Sequence, residues 1–337
     1  MTGVLDSFGR SIDYVRISVT DRCNLRCLYC MPPEGIPRMH HGELLTYEEI
    51  RAVVRAGAAL GIRRVRLTGG EPLVRAGLPE LVRMLSRIDG IEELSLTTNG
   101  TLLKEHALEL KQAGLSRINV SLDTLKADRF RDITRVGELS DVLEGIEAAR
   151  YAGLHPVKIN VVVMPGVNED EIPDFAGMTR REEWHIRFIE LMPFKGAVQF
   201  TPSADLRNQI AALGKLEPCH DSARLAGNGP ADCYRLAGAK GTIGFISPLS
   251  EHSFCSRCNR MRLTPDGKLR PCLLGEDEID LRTPLRNNAS LSELQELILK
   301  AVASKPEHHH LGGCSSPAPD VREESGVMKR RMSQIGG

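Results

Sequence analysis

No charge of either sign predominates in this 337-residue chain: 44 lysines and arginines face 44 aspartates and glutamates. That balance removes the general argument for a nucleic-acid or anionic-membrane partner and leaves only locally basic surfaces open. No uninterrupted apolar run approaches the ~20 residues that a membrane span requires. The opening stretch MTGVLDSFGR holds Asp6 and Arg10 and no apolar segment, so it reads without a secretory leader and the expectation is a cytoplasmic protein. Hydrophobic residues at 41% and charged residues at 26% are ordinary for a soluble globular chain. The length suits one large domain, or one with an extension.

What the chain does have is cysteine, nine in all. In a reducing compartment these are metal ligands, reactive groups or core filler before they are disulfides. Six fall in two groups: Cys23, Cys27 and Cys30 as C-x3-C-x2-C, then Cys255, Cys258 and Cys272 as C-x2-C-x13-C. Cys219, Cys233 and Cys314 stand apart in the sequence, and an isolated cysteine is by default a small buried hydrophobe.

Six candidate strands alternate with amphipathic helices over the first 190 residues: 13–20, 63–70, 92–99, 116–123, 156–163 and 184–191. Strand–helix alternation predicts an α/β fold with a parallel sheet, curled into an incomplete TIM-like (βα)6 barrel. TYEEIRAVVRAGAAL opens with Thr46 and Glu49 at capping-box spacing and aligns Ile50, Val53, Val54, Gly57 and Leu60. A second helix is expected around Val142, Leu143, Ile146 and Ala149.

Buried parallel strands normally read as continuous apolar runs. These alternate instead: Arg16, Ser18 and Thr20 oppose Val15, Ile17 and Val19, and Arg64, Arg66 and Thr68 oppose Val65 and Leu67. The pattern returns as Ser95 and Thr97; Asn119, Ser121 and Asp123; Lys158 and Asn160; and His185 and Arg187. With the apolar face under the helices, the polar face lines the barrel. Burying so many charges is costly without a partner, so a polar anionic ligand is expected inside.

Three thiolates on a loop directly after the first strand sit where such barrels place their chemistry. Structural zinc takes four protein ligands, which here would require His40 or His41. Three cysteines suit a cubane iron–sulfur cluster with one iron left open. C-x3-C-x2-C with an aromatic, Tyr29, before the third cysteine resembles the signature of the radical S-adenosylmethionine enzymes. LTGGEPL, with Gly69, Gly70, Glu71 and Pro72 one strand–helix unit later, resembles that family's second motif. The resemblance implies a [4Fe-4S] cluster whose open iron chelates S-adenosylmethionine, with Tyr29, Gly70, Ser121 and Met192 around that cofactor.

The second cysteine group lies in the extension, where His252 would complete a zinc site as the alternative. Arg260 and Arg262 beside it share one face of an extended segment and offer forks suited to phosphate. RISVTDRCNLRCLYC, RLTGGEPL, LTTNG, INVSLDTL, VKINVVVMPGVN, IRFIELMP, FCSRCNRMRLT and LRPCLLG together resemble the GTP-cyclising branch of the family, which opens molybdenum cofactor biosynthesis. This implies two [4Fe-4S] clusters, a radical SAM barrel over 1–192 and an extension over 193–337 carrying the second cluster. It further implies GTP contacts from Arg16, Arg66, Thr97, Lys158, Arg260, Met261 and Arg262, with Arg64 and Arg187 as further triphosphate candidates. Arg260, Arg262 and the terminal Gly336 and Gly337 are expected at the reaction itself. The implied partners are a flavodoxin- or ferredoxin-like electron donor, a downstream cyclic pyranopterin synthase, and a second copy in a homodimer. Competing readings are a peptide-modifying radical maturase and a zinc-stabilised scaffold. SLSELQELILKAV, with Ser290 and Glu293 at capping-box spacing, is expected to bury Leu291, Leu294, Leu297 and Ile298, and His308–His310 reads as a solvated turn.

Overall fold

The polar–apolar alternation becomes six parallel strands. A computed structural model describes residues 3–194, 199–219, 231–251, 253–309 and 330–336. After a short antiparallel pair, β1 (Val4–Leu5) and β2 (Ser11–Ile12), come β3 (Tyr14–Ser18), β4 (Arg64–Thr68), β5 (Glu93–Thr98), β6 (Arg117–Ser121), β7 (Val157–Val163) and β8 (His185–Glu190). Each pairs in parallel with the next in chain order. Their apolar halves, Val15, Ile17, Val65, Leu67, Leu94, Leu96, Ile118, Val120, Ile159, Ile186 and Phe188, lie in one buried core with the helices.

Local chemistry sets the helices on that core. In α1 (Tyr47–Ala59) the Thr46 hydroxyl accepts from the Glu49 amide at 3.2 Å, and Glu49 accepts from the Thr46 amide at 2.7 Å. Ile50, Val53, Val54 and Gly57 are buried as expected. In the helix Leu139–Tyr151 the buried face is Leu139, Val142, Gly145, Ile146 and Ala149. Leu143 is 37% exposed, on the flank of that stripe rather than in it. The helix Leu291–Ala303 carries the Ser290–Glu293 capping box and packs beside α1. It buries Leu294, Ile298, Ala301 and Val302, whereas Leu291 is 45% exposed and Leu297 partly buried. The stripe therefore runs one turn further toward the C-terminus than expected.

The extension is woven into the barrel sheet. A helix, Ser203–Ala211, leads to β9 (Leu216–Pro218), β10 (Asp232–Leu236) and β11 (Thr242–Ile246). β11 pairs in parallel with β8, and β12 (Arg260–Leu263) pairs in parallel with β3. With β13 (Lys268–Arg270) and β14 (Ile279–Asp280) the result is one twelve-stranded sheet, ordered β14-β13-β12-β3-β4-β5-β6-β7-β8-β11-β10-β9. Its central eight strands are parallel. In a flat sheet β4 and β8 would lie roughly 19 Å apart. The charges of Arg187 on β8 and Arg66 on β4 nevertheless act on one another, so the sheet curls into an open barrel with a chamber.

Candidate active site

Register stacks the chamber's cations in layers. Arg262 pairs with Arg16, Arg16 with Arg66, Arg66 with Ser95, and Ser95 with Arg117 across four adjacent strand pairs. One step toward the mouth, Thr97, Asn119, Lys158, His185 and Thr242 line up in the same way. Directly paired residues share a face, so each layer crosses the chamber wall. Lys158 is 0% exposed. Burial, reinforced by Arg187, Arg117 and Arg66, brings its amine down to about 4. Burial likewise lowers Arg16 to about 10, Arg187 to about 9, and Arg66 and Arg262 in the same direction. Burial, with Lys158, Arg187, Arg235 and Arg117 adding to it, brings His185 down to about 3, so its imidazole is neutral and hydrogen-bonds the Thr242 hydroxyl at 2.6 Å.

Glu93 answers part of this charge by pairing with Arg117. The Thr97 hydroxyl and both polar atoms of the Asn119 amide are buried without a hydrogen-bond partner among the described residues. Buried polar groups left open in this way call for a ligand. The chamber therefore asks for a large polyanion with hydrogen-bonding groups.

The two cysteine groups sit on this chamber. The first loop follows β3, and its backbone is pinned on both sides. Arg26 and Leu28 donate to the carbonyls of Thr134 and Ile133, and the Arg26 guanidinium holds the Cys23 carbonyl at 2.7 Å. Gly70 explains the double glycine. A Cβ there would collide with the Arg22 carbonyl and stand 2.8 Å from that of Asp21. The two glycines thus let the cysteine loop's backbone pass at close range. Glu71, fully buried and raised by burial to about 7, receives the Leu73 and Asn99 amides and the Thr98 hydroxyl. It ties the end of β4 to the end of β5, and the Asn99 amide side chain reaches the Cys23 sulfur at 3.9 Å.

The β12–β13 hairpin returns Cys272 to Cys255 and Cys258. Lys305 clamps this fold from within, donating to the carbonyls of Arg260 (2.9 Å) and Pro271 (2.6 Å). Arg10, buried beside Asp6, donates to the Cys255 carbonyl at 2.9 Å. Burial raises the Cys258 thiol, but Arg260 and Lys305 outweigh it and bring the group down to about 6.

All six cysteines are half-buried and outside any disulfide, and within each group the thiols interact with one another. Among the described residues no three His, Cys, Asp or Glu side chains converge as ligands of one ion. A cubane gives each thiolate its own iron, and the donor chemistry fits that group at both places. His252 lies outside the described residues.

Most expected site residues meet here. Tyr29 donates to Asp123 at 2.8 Å, and Asp123, raised by burial to about 6, also receives the Val162 amide. Met192 packs with Phe194 and Ile335, bringing the C-terminal turn Met332–Ile335 to the chamber. There the Arg262 guanidinium donates to the Gly336 carbonyl. Gly336 has φ +71°, and a Cβ would stand 2.5 Å from Thr68 Cγ2. Gly337, His310 and Cys314 lie outside the described residues.

Two residues sit elsewhere. Met261 alternates with Arg260 and Arg262, so its side chain is in the apolar core, 0% exposed. Arg64 lies at the start of β4 and pairs with Asp13, whose other oxygen accepts from Asn259 at 2.8 Å. Arg117, Asn99, Lys305 and Arg10 were missed as site residues, and Asp123 was placed on the polar face without a role. Arg117 shares the parity of Asn119 and was legible; the others act across long sequence separations.

This fold with this cysteine loop defines a radical S-adenosylmethionine enzyme. Residues 17–178 match the radical SAM superfamily, and residues 184–311 match Molybdenum Cofactor Synthesis C. At the level of fold the chain is similar to Streptococcus suis SuiB bound to S-adenosylmethionine, with TM-score 0.58 and 15% identity over 84% of this chain and 67% of that one. It is also similar to anSMEcpe with bound AdoMet, with TM-score 0.54 and 15% identity over 87% and 78%. The GTP 3′,8-cyclase of Pelotomaculum thermopropionicum is 52% identical over 98% of this chain and 99% of its own length. That of Moorella thermoacetica is 52% identical over the same shares. The chain belongs to the GTP 3′,8-cyclase family.

Proposed function

We infer that the protein is a lyase that joins C3′ to C8 of GTP, yielding 3′,8-cyclo-7,8-dihydro-GTP at the start of molybdenum cofactor biosynthesis. The observation that carries this reading is the buried cationic chamber between two three-cysteine sites. When bound, the first cluster with S-adenosylmethionine would supply radical abstraction of hydrogen from the nucleotide ribose, and the second cluster would supply a further contact for the nucleotide. Cys23, Cys27 and Cys30 hold the first cluster, and Cys255, Cys258 and Cys272 the second.

The chain's own residues supply position. Arg16, Arg66, Lys158, Arg187, Arg260 and Arg262 bind the triphosphate by charge, and Thr97 and Asn119 offer it, or the ribose, their open hydrogen bonds. Tyr29, Gly70, Ser121 and Met192 border the cofactor. Arg262, holding Gly336, brings the tail against the nucleotide. Holding two reactants in one geometry supplies much of the acceleration, and closing the chamber keeps water and stray hydrogen donors from the radical.

In this reading 1–192 serves the cofactor and 193–337 the nucleotide. The electron donor is flavodoxin- or ferredoxin-like, the product passes to a cyclic pyranopterin synthase in the cytoplasm, and the enzyme works as a homodimer. Among the described residues no helix is long and apolar enough to cross a membrane.

The test is anaerobic turnover with S-adenosylmethionine and dithionite, with GTP or ATP. GTP-dependent 5′-deoxyadenosine release with a cyclised nucleotide is expected. Release indifferent to GTP would overturn the substrate assignment.

A further inference from the structure

Cys219 and Cys233, fourteen positions apart and outside both cluster sites, meet across the β9–β10 ladder. The register runs Leu216 to Leu236, Glu217 to Arg235 and Pro218 to Tyr234. The next step pairs Cys219 with Cys233, and the Cys219 amide donates to the Cys233 carbonyl at 2.9 Å. The Ala237 amide donates to the Lys215 carbonyl, so hydrogen-bonded pairs fall at 215, 217 and 219. Pro218, which has no N–H, takes a position that needs none.

A hydrogen-bonded antiparallel pair holds its Cα atoms about 5.5 Å apart. That lies inside the ~4.4–6.8 Å that a disulfide accepts. Both side chains leave the same face, opposite Tyr234 and Leu236, which pack in the core. Both cysteines are half-buried and free, so a small oxidant has access. On its other side Cys233 pairs with Gly244 of β11, which carries no side chain of its own. Arg235 hydrogen-bonds the Cys219 thiol, and the Cys233 thiol interacts with Arg187. Burial, with Cys233 beside it, outweighs Arg235 and pushes the Cys219 thiol up to about 12.

We propose that Cys219 and Cys233 form a redox-active dithiol on the wall beside Arg187, closing to a disulfide when the surroundings turn oxidising. With a disulfide oxidant such as oxidised glutathione, one cysteine thiolate attacks a glutathione sulfur and releases one glutathione. The second cysteine then attacks the mixed disulfide and releases the other. The protein loses two electrons and two protons, and the oxidant leaves as two thiols. Disulfides in reducing compartments are commonly of this transient, sensing kind.

The test uses the anaerobically reconstituted holoenzyme, exposed to oxidised glutathione while cluster absorbance is followed, then alkylated and mapped by peptide mass. The expected result is a peptide linked through Cys219 and Cys233, cleaved by dithiothreitol, with both thiols alkylated in the reduced sample. Cys219→Ser should instead stop at one glutathione on Cys233, a mass gain that appears whether or not clusters survive. Two thiols that stay alkylatable, or that each collect glutathione without linking in the wild type, would overturn the proposal. Neither readout depends on nucleotide chemistry.

Discussion

Replacing Lys158 with methionine should stabilise the nucleotide-free protein and weaken GTP binding at once. The amine is 0% exposed and stands among Arg187, Arg117 and Arg66, with its pKa brought down to about 4. An unfolded lysine titrates near 10.4, so at pH 7 folding strips its proton, at a cost of up to about 5 kcal/mol at 1.36 kcal/mol per unit. Methionine keeps the length and carries no charge. The variant should gain on the order of 2–5 kcal/mol, read as several degrees in unfolding midpoint.

The sign can be checked by pH. Because the folded value is depressed, the unfolded state holds more protons between pH 4 and pH 10.5, and stability rises with pH through that window. The variant should lack one proton's worth of that slope. With GTP the effect reverses. A charged hydrogen bond to phosphate contributes about 1.5–3 kcal/mol, so Kd should rise roughly tenfold to a hundredfold. Calorimetry in two buffers should show proton uptake on GTP binding by the wild type, reduced in the variant. A lower midpoint for nucleotide-free Lys158→Met at pH 7, together with unchanged GTP affinity, would refute the reasoning.

Three further outcomes follow from the site's geometry. Gly70→Ala drives a Cβ into the Arg22 carbonyl, so anaerobic reconstitution should load the first site poorly and the second normally, read by iron content and electron paramagnetic resonance. Gly336→Ala adds left-handed strain of about 1–2 kcal/mol and a contact at 2.5 Å with Thr68. It should cut GTP-dependent turnover while slow uncoupled cleavage of S-adenosylmethionine persists. Arg64→Ala should raise the GTP Kd by less than about fivefold, an effect within about 1 kcal/mol, since Arg64 is already paired with Asp13, whereas Arg187→Ala should raise it tenfold or more; titration calorimetry separates them.

Much of this was legible because burial imposes parity on a strand. Arg16 against Val15 and Lys158 against Ile159 announce a strand between a greasy layer and a charged one, and the same rule recovered all six strands. Applied consistently, it also separates Met261 from Arg260 and Arg262 and adds Arg117 to the chamber. Other features depend on contacts that no local pattern carries. Asp13 claims Arg64 from 51 residues away, and Lys305 reaches the Arg260 carbonyl across 45. The role of Gly70 depends on the backbone path of another loop. Helix stripes slipped by a turn at Leu291 because several apolar residues compete for the same face, and neighbouring helices decide among them.

The seam between β12 and β3 joins residues 260–263 to residues 14–18, and it has a consequence for how the chain acquires its shape. Until that late strand is made, β3 and β8 are raw edges of a parallel sheet, each offering a row of unpaired amides and carbonyls. Pairing across such a sequence gap is slow to form, and open edges in a crowded setting invite other chains. A fragment ending near residue 192 would therefore be sticky rather than a smaller enzyme. Coexpressed residues 193–337 would act as its chaperone, covering both edges at once.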